Sequence, residues 1–193
     1  MSVKLYDALK SSYGDKKSKK NLEKAGYIKN NKLSNHNQSV YYNPAENKTM
    51  VNVAGTHNLK DVVNDVYLAF GGLKKTDRYK QAKNTLEKAK NEYNGSDVII
   101  TGHSLGGSIS QKIGGKNDKV YSLNSGYTIG SKTKGDKQNQ NNYRVVGDVV
   151  SLLSSGAKNI NTIKNKNEAT GFIGTDILKS HNVENIKNSN IYV

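Results

Sequence analysis

The chain has 193 residues, 21.2 kDa and a formal net charge of +14, from 30 Lys+Arg against 16 Asp+Glu. That length fits a single domain, read as 1–193 with residues 1–35 as a basic helical N-terminal extension. Cysteine is absent, which excludes disulfides, thiolate metal sites and a cysteine nucleophile.

Residues 1–35 read as helical and solvated. Val3, Leu5, Tyr6 and Leu9 mark a short amphipathic stretch. Lys16, Lys17, Lys19 and Lys20 follow, and such a charge run is expected on a solvated face. No apolar leader opens the chain, and no apolar run reaches the roughly 18 residues of a membrane span. A cytoplasmic or virion-associated protein is therefore expected.

A hairpin comes next. Ser39 to Tyr42 is β-rich, Asn43-Pro44-Ala45-Glu46-Asn47 carries turn chemistry, and Thr49 to Val53 reads as the return strand. Two helices follow. Leu59, Val62, Val63, Val66, Tyr67 and Phe70 share one helical face, closed by Gly71-Gly72. Tyr79, Ala82, Leu86, Ala89 and Tyr93 form a second stripe, expected to pack on a sheet.

Residues 97–101 (Asp97-Val98-Ile99-Ile100-Thr101) read as a buried strand of a parallel sheet, because their apolar run does not alternate. Leu105 to Ile113 reads as a helix with Ile109 and Ile113 inward. Residues 119–124 and 143–146 are two more predicted strands, while 126–142 and 155–175 read as polar loops. Gly126 to Thr133 superficially looks like a phosphate loop. It has three residues between its glycines rather than four, and no apolar helix after it, so it is rejected. The order of elements is that of an α/β protein.

Gly102-His103-Ser104-Leu105-Gly106-Gly107 joins a predicted strand to a predicted helix. That is the context a nucleophile elbow needs, with glycines leaving room for strand and helix to approach. A helix N-terminus also favours the negative charge that develops there. Ser104 is the candidate nucleophile.

The serine needs a base, and the base needs an orienting acid. His103 sits inside the elbow and cannot turn back to its neighbour. His36 lies in a polar turn, and His57 is placed to line the site. Only His181 satisfies the chain order Ser, Asp, His of the α/β-hydrolases. Asp148 ends a predicted strand, where a parallel sheet presents functional groups. It is preferred to Asp118, Asp136 and Asp176. An oxyanion hole needs two N–H donors. Leu105, after the nucleophile, supplies one. Ala54-Gly55-Thr56 is placed either to supply the second or to serve as an ordinary strand-end turn.

At these residues the chain resembles the class 3 lipases, the fungal-lipase-type branch of the α/β-hydrolases. The resemblance runs through the hairpin, the Ala54-Gly55-Thr56 loop, the elbow, Tyr143-Arg144-Val145-Val146-Gly147-Asp148 and the segment around His181 and Asn185. Ala54 stands where the family usually has Arg. The resemblance implies a compact α/β-hydrolase-like fold, with a mostly parallel sheet, an N-terminal antiparallel hairpin and helices on both faces. It implies Ser104 as nucleophile, Asp148 as acid, His181 as base, and Thr56 and Leu105 as oxyanion donors, with no metal and no cofactor. The activity it implies is hydrolysis of lipid acyl esters.

The charge attracts polyanions. Nucleic acid is disfavoured, because the 12 Tyr are scattered and no recognition motif appears. An anionic membrane surface is the expected partner, bringing a lipid or phospholipid ester. The competing expectation is a lipase-like binding module without catalysis.

Overall fold

Adjacent side chains of a strand point to opposite faces, and that alternation divides the core into two layers. A computed structural model describes residues 2–57, 72–126, 139–148, 160–164 and 179–193. The helix predicted over 59–70, Asp136, Asp176 and positions 127–133 of the rejected phosphate loop lie outside these residues.

The hairpin forms as predicted. Strand β2 is Gln38–Asn43 and β3 is Lys48–Val53, in a register that pairs Asn43 with Lys48. Asn43 Oδ1 accepts from the backbone of Ala45 and Glu46, which closes the turn. On the outer side β2 pairs antiparallel with β1, Ile28–Asn30. On the inner side β3 pairs parallel with β4, Asp97–His103. Then β5 (Lys119–Leu123), β6 (Gln140–Val145) and β7 (Ile160–Ile163) continue the parallel half in chain order.

Val40, Val51 and Ile100 point to one face and meet Ala82, Leu86 and Ala89 of helix α3 (Asp77–Glu92) and Ile109 of α4 (Leu105–Ile113). Tyr41, Met50 and Ile99 are their neighbours in sequence and point the other way. They meet Ala8 of α1 (Leu5–Ser12) and Leu22 of α2 (Lys16–Lys24). This is an α/β fold with helices on both faces, as the sequence predicts.

Four elements differ from expectation. Strands β1 and β7 are additions, β7 falling within a predicted polar loop, and β6 begins three residues early. Helix α1 is not solvated: Leu5, Ala8 and Leu9 are fully buried. Leu5 and Leu9 pack against Leu123, Val145, Val183 and Ile186, where each contributes about 1.5–3 kcal/mol. The solvated prediction does hold for Lys16, Lys17 and Lys20 of α2, which are exposed.

The two ends of the described chain meet. Leu5 N–H donates to Ile191 O and Val193 N–H to Val3 O, both at 2.9 Å, around a bridge between Lys4 and Tyr192. Among the described residues no helix is long and apolar enough to cross a membrane.

Candidate active site

Strand β4 ends at His103 and α4 begins at Leu105, so Ser104 alone makes the turn. Its backbone sits at φ 56° and ψ −126°, a strained conformation for a non-glycine residue. Glycines make that turn possible. A Cβ on Gly102 would strike the Gly106 carbonyl, and one on Gly106 would strike the carbonyls of Val53 and Ala54. The Ser104 backbone N–H donates to Leu123 O at 2.9 Å, which fastens the elbow to β5. Its Oγ is buried and has no hydrogen-bond partner. Leu105 is the first residue of α4, so its N–H belongs to the unpaired first turn of the helix.

Asp148 and His181 arrive from the other side. After β6, Gly147 at φ 84° turns the chain and buries Asp148 completely. His181 precedes a short 3-10 helix, Val183–Ile186, and is 1% exposed. Its Nδ1 lies 2.5 Å from Asp148 Oδ2. A carboxylate can only accept, so the ring proton is on Nδ1 and Nε2 is left as a base. That Nε2 is buried and, like Ser104 Oγ, has no hydrogen-bond partner.

Asn124 ties these segments together from the end of β5, in the left-handed region at φ 48°. Its Nδ2 donates to Ser180 O at 3.2 Å, and its Oδ1 accepts from Val145 N–H at 2.8 Å. One buried amide thus joins β6 to the segment carrying His181.

The Ala54-Gly55-Thr56 loop lies against the elbow. A Cβ on Gly55 would come within 2.6 Å of His103 O and 3.2 Å of Ser104 Cβ. Thr56, Ser104, His57, Lys10, Tyr13 and Asn182 line one cavity of about 200 Å³. Arg78 of α3 reaches back to this loop and donates to Ala54 O at 2.5 Å and Gly55 O at 3.3 Å. A guanidinium therefore holds the loop from outside the motif, although Ala54 carries no charge. Sequence reasoning passed over Arg78. Its only signal was rarity, since two of the 30 basic residues are Arg and a planar fork suits paired carbonyls better than a Lys ammonium.

The remaining candidates have other partners. Asp118 caps Gly115 N–H and pairs with Lys90 at 2.7 Å, a structural role ahead of β5. His36 stacks on His57, with ring centroids 4.0 Å apart, and His57 lines the cavity as expected. His103 turns away from Ser104 Oγ. Its Nε2 lies 2.6 Å from His181 O and its Nδ1 2.9 Å from Tyr13 Oη. Among the described residues no cluster of three His, Asp or Glu is arranged to hold a metal.

Burial pushes the His103 imidazole down from 6.5 to about 3, and the neighbouring His181 lowers it further. The folded chain therefore refuses a proton that the unfolded chain takes up at about 6.5. Stability is intact above that value and falls as pH drops from 6.5 toward 3, by about 1.4 kcal/mol per pH unit. In urea titrations across this window, His103→Gln should show a shallower decline than wild type. Equal slopes would exclude His103 as the source.

The family described as lipase (class 3) matches residues 43–150, more than half of the chain. The chain belongs to the class 3 lipases. No curated protein matches it. Among solved structures it is similar to a lipase of Yarrowia lipolytica, at 16% identity and a TM-score of 0.42, with 60% of this chain and 56% of that one covered. It is also similar to a mutant form of MDLA from Penicillium cyclopium, at 14% identity and 0.49, with 90% and 80% covered. A triacylglycerol lipase from Penicillium expansum gives 17% and 0.39, with 64% and 58% covered. The class 3 match contains Thr56, Ser104, Leu105 and Asp148. His181 and the whole of α1 lie outside it.

Proposed function

We propose that this class 3 lipase-family chain is a serine carboxylic-ester hydrolase acting on lipid acyl esters. Ser104 is the nucleophile, His181 the base, Asp148 the acid, and the Thr56 and Leu105 N–H groups form the oxyanion hole. Residues 1–193 act as one domain. The observation that carries this reading is the buried Asp148–His181 pair at 2.5 Å, which leaves Nε2 bare in a structure where Ser104 Oγ is also unbonded. A buried ring nitrogen and a buried hydroxyl without partners are costly to the fold, a cost that catalysis by the pair explains.

In the reaction His181 Nε2 removes the Ser104 proton as Oγ attacks the acyl carbonyl. The Asp148 carboxylate keeps the Nδ1–H tautomer and stabilises the imidazolium that forms. The two backbone N–H groups stabilise the tetrahedral oxyanion. His181 then protonates the departing alcohol. Water, deprotonated by the same Nε2, releases the acid and restores Ser104.

The net charge of +14 supports an anionic lipid surface as the place of action. Lys16, Lys17 and Lys20 are exposed on α2, which packs on the helix whose Lys10 lines the cavity, and each of the three adds about 1 kcal/mol near such a surface. Phospholipid is accordingly the preferred ester. A fluorophosphonate should label wild type on Ser104, and p-nitrophenyl butyrate turnover should vanish in Ser104→Ala. Turnover that survives Ser104→Ala ends the proposal. Hydrolysis on anionic vesicles should exceed that on neutral ones and decline with salt.

A further inference from the structure

Three remote parts of the chain meet through one phenol hydroxyl. Tyr13 stands at the end of α1, in a segment outside the family match. Its Oη accepts from Gly55 N–H at 2.8 Å. The partner on its other side is His103 Nδ1, at 2.9 Å. The roles are fixed by the far end of the ring. His103 Nε2 lies 2.6 Å from a carbonyl, His181 O, which can only accept, so Nε2 carries the proton and Nδ1 is bare. Tyr13 therefore donates to Nδ1. The chain reads Gly55 N–H to Tyr13 O–H to His103, and His103 Nε2–H to the backbone of His181.

We propose that Tyr13 is a positioning residue of the hydrolytic site, which acts through His103 to hold the Ala54–Thr56 loop and the His181 backbone in one fixed relation to Ser104. The geometry is specific. Gly55 is the only residue type that fits where the phenol oxygen approaches, since a Cβ there would lie 2.5 Å from it. The loop is gripped from both edges, its carbonyls by Arg78 and its N–H by Tyr13. Burial drives the Tyr13 hydroxyl up to about 12, so it retains the proton it donates. His103 is likewise held neutral, and a second ring proton would point at the donor of Tyr13.

The strap links an oxyanion donor loop to the base, two groups that must be correctly placed in the same transition state. Displacement of either by a fraction of an ångström lowers the rate of chemistry while leaving ground-state binding unchanged.

The proposal rests on the hydrolase reading, and the test separates the two. Tyr13→Phe keeps the ring and removes the hydroxyl. Its kcat is measured on a soluble p-nitrophenyl ester, per serine titrated with fluorophosphonate, so that misfolded protein does not count. We expect kcat per titrated site to fall about tenfold, with KM changed less than about twofold. His103→Gln retains an N–H for the His181 carbonyl and should lose less than His103→Leu. If Tyr13→Phe does not accumulate folded, the two His103 variants decide the matter by the same measurement. An active wild type with unchanged kcat in Tyr13→Phe, or with equal kcat in wild type and His103→Leu, overturns the positioning role alone. A wild type without Ser104-dependent turnover overturns the hydrolase reading and the positioning role with it.

Discussion

Exchange of Asp148 for Asn should lower kcat by roughly 10,000-fold, and His181→Ala should cost at least as much. The Asn amide is nearly isosteric, so the change tests charge and tautomer rather than volume. Asp148 now accepts from Nδ1–H at 2.5 Å. An amide presenting its NH₂ at that position would force the imidazole proton onto Nε2, the atom proposed to receive the Ser104 proton. Even with its carbonyl facing Nδ1, Asn would not stabilise the imidazolium. His181→Ala removes the proposed base outright. Turnover is measured on a soluble ester beside a near-ultraviolet circular dichroism spectrum, since both side chains are buried. Retention of more than a tenth of wild-type kcat by either folded variant would exclude the assigned role.

The second large effect falls on the elbow's glycines. Gly106→Ala should destabilise the fold by roughly 3 kcal/mol. The added methyl would meet backbone rather than a yielding side chain, the carbonyls of Val53 and Ala54. Relief requires α4 to back away from the end of β3, which carries Leu105 N–H out of place as well. Gly102→Ala should act similarly, because the Gly106 carbonyl and Ser110 Oγ occupy its space. Gly72 is the control. Nothing lies within 4 Å of a Cβ there, so Gly72→Ala should stay within about 0.5 kcal/mol of wild type. Urea midpoints measure all three, and a Gly106→Ala midpoint equal to that of Gly72→Ala would contradict the packing described.

The contrast between these glycines and the strap shows what a sequence makes legible. Gly102, Ser104 and Gly106 lie within five positions, and their chemistry is local, so their spacing between a predicted strand and a predicted helix marks the elbow. Asp148 and His181 follow from chain order and from the strand that Asp148 ends. Tyr13 and Arg78 leave no such mark. Tyr13 meets His103 across 90 positions and Arg78 meets Ala54 across 24, and no periodicity records which loop a side chain will find. Strand β7 was hidden for a different reason. Ile160-Asn161-Thr162-Ile163 is short and half polar, and pairing with β6 rather than apolar content makes it a strand. The burial of helix α1 is masked in the sequence because the lysines of α2 dominate the average of residues 1–35. Its own Leu5 and Leu9 face the opposite way, into the sheet.

The pairing of Val3 and Lys4 with Ile191 to Val193 has a kinetic meaning. It closes a contact that spans almost the whole described chain, and closures of that length are formed late because the entropy lost is not recovered until both ends are in place. The elbow, by contrast, is built from neighbours in sequence. A refolding molecule should thus acquire its serine turn well before the segment bearing His181 is locked down. Recovery of hydrolysis after dilution from urea should lag behind recovery of helical signal, with α1 and the tail docking together in the slow step.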